Sequence, residues 1–212
     1  LTSANSINIA RLIPQMFYYF EGYKQLLKNG IDGREVVFTV PSGNFGNLTA
    51  GLIAKKMGLP IDRFIAAVNN NDVFHQYCET GKYEPRPSVQ TISNAMDVGA
   101  PSNFARMMDL YKHDLAVLKS EINTGTVSDD TVKAEVTKVF KENNYVLDPH
   151  TAVGLDIMNA YQNENTNSVG VVLSTAHPAK FIDAVEQCIG EKIDLPKDLS
   201  VLVDRKKSFK GM

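Results

Sequence analysis

Seven residues, Pro41-Ser42-Gly43-Asn44-Phe45-Gly46-Asn47, stand between an uninterrupted apolar run, Val36 to Val40, and a helix-forming stretch, Leu48 to Met57. The run before them is short, rich in β-branched residues and free of charge, the pattern of a strand covered on both faces. Strand, glycine turn and helix in that order restrict what such a chain can fold into. Glycines in the turn reach backbone angles closed to other residues, and the helix start adds unpaired N–H groups and partial positive charge. A phosphate suits that place. Glycine here also serves plain packing of helix on sheet, so the turn alone leaves both readings open.

The spacing narrows the kind of phosphate. It matches neither G-x-G-x-x-G nor the Walker loop, which needs Lys-Ser or Lys-Thr where Gly46-Asn47 stands. Two asparagines and no lysine form a neutral donor set, suited to a phosphate held in place rather than one being transferred. A cofactor phosphate is the expectation.

Further along, Gly58-Leu59-Pro60 closes the helix and Phe64 to Val68 reads as a second strand, giving a βαβ unit and a parallel pairing. Val169 to Leu173 has the same buried-strand pattern and turns through Ser174-Thr175-Ala176-His177-Pro178 into a helix over 179–189. The fold class expected is α/β, a mostly parallel open sheet with flanking helices. Ligands in such sheets sit beyond the carboxyl ends of strands, so Thr175 and the Ser42 loop are expected to face one site.

Helices are expected over 11–28, with Leu12, Met16, Tyr19, Phe20, Tyr23, Leu26 and Leu27 as a core stripe, over 104–119, from Ser128 through Phe140, and from Asp148-Pro149. Asn5 and Ser6 read as helix-capping groups, and His150, in a helix's first turn, as a bonded structural group. Between Cys78 and Asn103, Pro85, Pro87, Gly99 and Pro101 predict little regular structure. Residues 1–190 are expected to form one cofactor-binding region with a helical insert at about 78–145. Residues 191–212 are expected to be a tail, with Arg205, Lys206, Lys207 and Lys210 on a solvated surface.

Composition removes several classes. With 22 basic and 24 acidic residues the net charge is −2, which offers no general attraction to nucleic acid or anionic membrane. No apolar stretch reaches membrane-spanning length, and no signal segment opens the chain. Two distant cysteines, Cys78 and Cys188, make no disulfide framework and fit a reducing, cytoplasmic setting. His75 and Cys78 lack two further ligands for a metal. The chain opens on Leu1 rather than Met, and a piece of a longer protein is expected.

Ser3 to Asn8 with Arg11, Pro41 to Asn47, Asn94 to Val98, Pro101 to Phe104 and Thr175 to Phe181, in this order, resemble threonine synthase in the branch found in enteric bacteria and fungi. The resemblance covers nearly the whole chain. It implies a fold-type II pyridoxal phosphate enzyme that converts O-phospho-L-homoserine and water to L-threonine and phosphate. It implies that Gly43, Asn44, Phe45, Gly46 and Asn47 cradle the phosphate of pyridoxal 5'-phosphate, that Thr175 meets the pyridine nitrogen, and that Asn5, Ser6 and Arg11 receive the substrate phosphate. The last overrides the capping reading, because Arg among amide and hydroxyl donors is what an anion needs. The family's Schiff-base lysine falls upstream of Leu1, and Lys180 sits in a different motif, so no catalytic residue is expected in this chain. Alone it is expected not to complete a turnover, its partner being the N-terminal part of the same enzyme. Two alternatives stay open, another fold-type II lyase such as a dehydratase and a non-catalytic phosphate-binding module.

Overall fold

The computed structural model describes residues 5–200 apart from Asp32 and Asp198. The basic residues Arg205, Lys206, Lys207 and Lys210, assigned above to a solvated tail, lie outside the described residues.

The apolar run forms β1 (Glu35–Pro41), buried along almost its whole length. After the glycine turn comes α2 (Gly46–Lys56), then β2 (Arg63–Val68), and the two strands pair in parallel, with Phe38 opposite Phe64. The βαβ unit therefore forms as read. β3 (Ile122–Thr126) adds beside β2 and β4 (Ser168–Val172) beside β1, giving a four-stranded, all-parallel sheet in the order β3-β2-β1-β4. β3 lies inside the span expected as a helical insert.

Helices cover both faces of the sheet. On one, α1 (Leu12–Asn29) and α2 pack over Val36, Phe38, Val40 and Phe64. On the other, α7 (Pro149–Glu164) meets Val37 and Ile65 through Met158, with α6 (Asp129–Asn143) and α8 (Ile182–Ile189) beyond it. Burying each of these large side chains stabilises the fold by about 1.5–3 kcal/mol, and together they make the sheet a firm platform for its carboxyl-end loops.

Local chemistry sets the helix starts. Ser128 caps α6, with Asp129 and Asp130 in its first turn, and Asp148 caps α7 with Pro149 in the first turn, both as expected. The helix expected over 104–119 is two, α4 (Phe104–Leu110) and α5 (Leu115–Glu121). Lys112 and His113 take left-handed angles between them, and Asp114 accepts a bond from Val117 N to start the second helix. Cys78 lies in a short α3 (Val73–Thr80), after which the chain runs irregularly to a single 3₁₀ turn, Asn94–Met96. The helix expected over 179–189 begins as a 3₁₀ turn at Pro178–Lys180 and becomes α8 only from Ile182.

Two expectations of burial need correction. β4 is half-buried beyond Ser168, because it is a sheet edge. The stripe on α1 is only partly core: Leu12 and Tyr19 are buried and Met16, Tyr23 and Leu26 pack against them, while Phe20 and Leu27 are exposed. Ile9, Ile13 and Phe17 are exposed too, and with Phe20 and Leu27 they follow the three-and-four spacing of one continuous face.

Candidate functional site

At the carboxyl end of β1 the backbone of Ser42 is tied to Ala67 O at 2.9 Å, which fixes the start of the glycine turn against β2. The Asn47 side chain then braces the turn from within. Its amide donates to Pro41 O at 2.8 Å, and its oxygen accepts from Ser42 Oγ at 2.8 Å and from Leu48 N at 3.0 Å. Tyr19, on the buried face of α1, donates its hydroxyl to Asn47 O at 2.6 Å.

Phe45 stands at the start of α2 with φ of 56°, a left-handed conformation that a bulky residue adopts at a cost of about 1–2 kcal/mol. Packing holds it there. Its ring is buried 4.8 Å from that of Phe74, and its carbonyl accepts from Thr49 Oγ1 at 2.6 Å. α2 has no side-chain cap, and among the described residues no protein acceptor takes the backbone N–H groups of Gly43, Asn44, Phe45, Gly46 or Asn47. Five successive donors therefore stand at the positive end of a helix.

Around them opens a cleft of about 470 Å³. It is lined by all nine residues singled out from the sequence: Gly43, Asn44, Phe45, Gly46 and Asn47 on the turn, Thr175 after β4, and Asn5, Ser6 and Arg11 ahead of α1. Thr175 is exposed, as are Asn5 and Arg11. The turn and the Ser6 segment are joined directly, since Asn44 donates to Ser6 Oγ at 2.5 Å. Asn103 donates to Asn44 O at 2.9 Å, and Arg106 donates to Ser6 O at 3.1 Å and also to Ile7 O.

The wall opposite the turn is the Asn94–Met96 segment. It presses so close that a Cβ on Gly43 would lie 2.6 Å from Met96 Cα, which only glycine avoids. A buried polar knot holds this wall. Asn69, at the end of β2, donates to Thr91 Oγ1 at 2.8 Å, Ser93 Oγ at 2.9 Å and Asp97 Oδ1 at 2.9 Å, and Asn71 reaches the same carboxylate at 3.0 Å. Such a knot is stable only because its donors are matched. Sequence reasoning missed Asn69, Asn71, Asn103, Arg106 and the cleft position of His150. The polar run Asn69 to Asp72 directly after a strand was the available signal for the first two. Lys180, set aside from the sequence, also lines the cleft. His75, considered with Cys78 as a metal pair, instead bonds Thr124 Oγ1 at 2.8 Å. A larger groove of about 710 Å³ between α6 and α8 is lined by Lys133, Lys138 and Lys141 and by none of the nine residues singled out from the sequence.

The parallel sheet, the neutral donor turn after β1 and the hydroxyl beyond β4 define the fold of the fold-type II pyridoxal phosphate enzymes. The family model "Threonine synthase, C-terminal" matches residues 151–212. A threonine synthase from Haemophilus influenzae is 45% identical over 202 residues, 94% of this chain and 45% of its own length. Crystal structures of threonine synthase from Escherichia coli and, with PLP bound, from Brucella melitensis both match with a TM-score of 0.87. Their identities are 42% and 39%, over 96% and 99% of this chain and 46% and 49% of theirs. Residues 151–212 thus match the C-terminal family of threonine synthase, the chain is similar to threonine synthases over nearly its whole length, and it spans about half the length of the relatives it matches.

Proposed function

We propose that the chain is the cofactor-binding part of a threonine synthase, which converts O-phospho-L-homoserine and water to L-threonine and phosphate. The observation that carries this reading is the run of five N–H groups, Gly43 to Asn47, unmatched among the described residues and in one cleft with Thr175 and with Asn5, Ser6 and Arg11. Neutral main-chain donors at a helix start suit the phosphate of pyridoxal 5'-phosphate, and a relative of known structure binds that cofactor. When bound, the cofactor supplies an electron-withdrawing ring that stabilises negative charge on the substrate carbon.

The chain's own residues bind and orient. The turn holds the cofactor phosphate without exchanging protons with it. Thr175 offers the pyridine nitrogen a neutral hydroxyl, which leaves that nitrogen largely unprotonated. Arg11, with Asn5 and Ser6, is a planar, always-charged donor set for the phosphate of the substrate. Through Asn44 the two anion sites share a rigid link, so the spacing between cofactor and substrate is set by the fold.

The Schiff-base lysine and the proton transfers it performs belong, in this reading, to an N-terminal part that is the chain's partner. The exposed apolar face of α1 and the open edge of β4 support a partner there. Among the described residues no helix is long and apolar enough to cross a membrane. Two free thiols, one buried and one half-buried, support a cytoplasmic setting.

Threonine formation and phosphate release from phosphohomoserine test the proposal, measured on the chain alone and joined to the upstream part of the enzyme. The joined protein is expected to be active and the chain alone inactive. Threonine made by the 212-residue chain would overturn the division of labour, and a joined enzyme that releases no phosphate would overturn the activity.

A further inference from the structure

His150 was read from the sequence as a structural residue, yet it faces the cleft while being only 2% exposed. Its surroundings fix the ring completely. Ala95 N, in the wall opposite the glycine turn, donates to His150 Nε2 at 3.2 Å. An N–H can donate only to an unprotonated nitrogen, so the ring proton sits on Nδ1, which faces Asp148 Oδ1 at 3.2 Å. The Phe181 ring, 4.6 Å away, closes the remaining side.

Asp148 is the hub of this arrangement. It is buried at 2% exposure and accepts from His150 N at 2.9 Å, Thr151 N at 3.2 Å and the Thr151 hydroxyl. Thr151 Oγ1 lies 3.2 Å from Ser174 Oγ, and Ser174 is the neighbour of Thr175. One buried carboxylate thus reaches two walls of the cleft. Through His150 it holds Ala95, and the adjoining Met96 backbone is the surface on which Gly43 rests. Through Thr151 it holds the turn that carries Thr175.

We propose that His150 is a positioning residue for the phosphate cradle, held by Asp148 as the Nδ1–H tautomer so that Nε2 anchors Ala95 and keeps the Asn94–Met96 wall pressed against Gly43. The inference rests on the reading of the cleft as a pyridoxal phosphate site. Losing the anchor releases Ala95 N and lets the wall withdraw, so the five N–H groups lose the backing that orders them. The effect falls on the cofactor's phosphate and spares its ring.

The test compares pyridoxamine 5'-phosphate with pyridoxamine, by calorimetric titration of the purified chain; neither ligand carries an aldehyde that could react with surface lysines. Wild type is expected to prefer the phosphorylated ligand. His150→Leu should cut that preference about tenfold, as loss of one well-placed hydrogen bond near an anion does, with pyridoxamine affinity unchanged. His150→Gln, whose side-chain oxygen can accept from Ala95 N, should restore part of the preference. Nitrogen-15 NMR of the imidazole at alkaline pH should report a protonated Nδ1. A preference kept intact in His150→Leu, an equal loss for both ligands, or a protonated Nε2 would overturn the inference while leaving the cofactor reading standing. A wild-type chain indifferent to the phosphate would overturn both.

Discussion

Asn44 donates its side-chain amide to the Ser6 hydroxyl at 2.5 Å, while its oxygen accepts from Ser102 N at 2.5 Å. One residue of the glycine turn therefore clasps the chain on both sides of it, the segment ahead of α1 and the loop ahead of α4. The two anion sites proposed for this cleft are one mechanical unit.

Asn44→Ala breaks the clasp without touching the five backbone donors. Ser6 and Ser102 both lose a partner, and each lost bond weakens the arrangement by about 0.5–1.5 kcal/mol. Binding of phosphohomoserine to the joined enzyme and of pyridoxamine 5'-phosphate to the chain are expected to fall together, each roughly tenfold. Titration of both ligands checks this, and a loss confined to one would separate the sites.

Gly43→Ala strikes the same cleft from its wall. The added methyl would meet Met96 Cα at 2.6 Å and its carbonyl carbon at 2.9 Å, and backbone atoms cannot swing aside as a side chain does. Overpacking of this kind costs about 1–3 kcal/mol. Urea unfolding should show a lowered midpoint for the variant. Adding pyridoxamine 5'-phosphate should raise the wild-type midpoint and leave the variant's unmoved, because ligand binding to the folded form is what shifts it.

Much of this was readable in the chain. Val36 to Val40 named β1, Gly58-Leu59-Pro60 named the end of α2, and Asp148-Pro149 named the start of α7, because each signal is local and each has a single physical cause. The nine residues singled out by motif do line one cleft. What stayed hidden was set by distant parts of the chain. β3 has the unremarkable sequence Ile122-Asn123-Thr124-Gly125-Thr126, and only pairing with β2 makes it a strand. Asn69 looks like any polar residue after a strand until Thr91, Ser93 and Asp97 arrive from more than twenty positions away. The exposed half of the α1 stripe misled for the opposite reason. Periodicity marks a face as apolar, and says nothing of which chain covers it.

Cys78 gives the fold a dependence on alkaline pH. Burial pushes its thiol from the ordinary 9.0 up to about 12, so the folded chain keeps a proton that the unfolded chain has lost. Stability from this source is complete below about pH 9 and declines as pH rises toward 12. Burial shifts the Tyr19 and Tyr111 hydroxyls the same way, from a higher starting point of 10.0. Urea midpoints followed upward in pH should therefore begin to fall near the thiol's ordinary value. Burial also raises the Cys188 thiol from the same ordinary value, so Cys78→Ala should shrink the fall below the range of the tyrosines and Cys78→Ala with Cys188→Ala should remove it; an unchanged profile in the double variant would place the loss elsewhere.

The face formed by Ile9, Ile13, Phe17, Phe20 and Leu27 is too apolar to sit comfortably in water, with Ile9 at 58% and Phe17 at 64% exposure. It lies on the helix that also packs Tyr19 into the core and, at Ile9, on the 3₁₀ turn just ahead of it, so it is rigid and cannot fold away. Without a partner, the chain should bury this face against copies of itself. Sedimentation is expected to show concentration-dependent association of the purified chain, and Phe17→Glu with Ile13→Lys should abolish it while leaving the unfolding free energy within about 0.5 kcal/mol, since neither residue belongs to the buried core. The same double variant should fail to recover activity when combined with the upstream part of the enzyme. A compact monomer at every concentration, or full recovery by the double variant, would show that this face meets no partner.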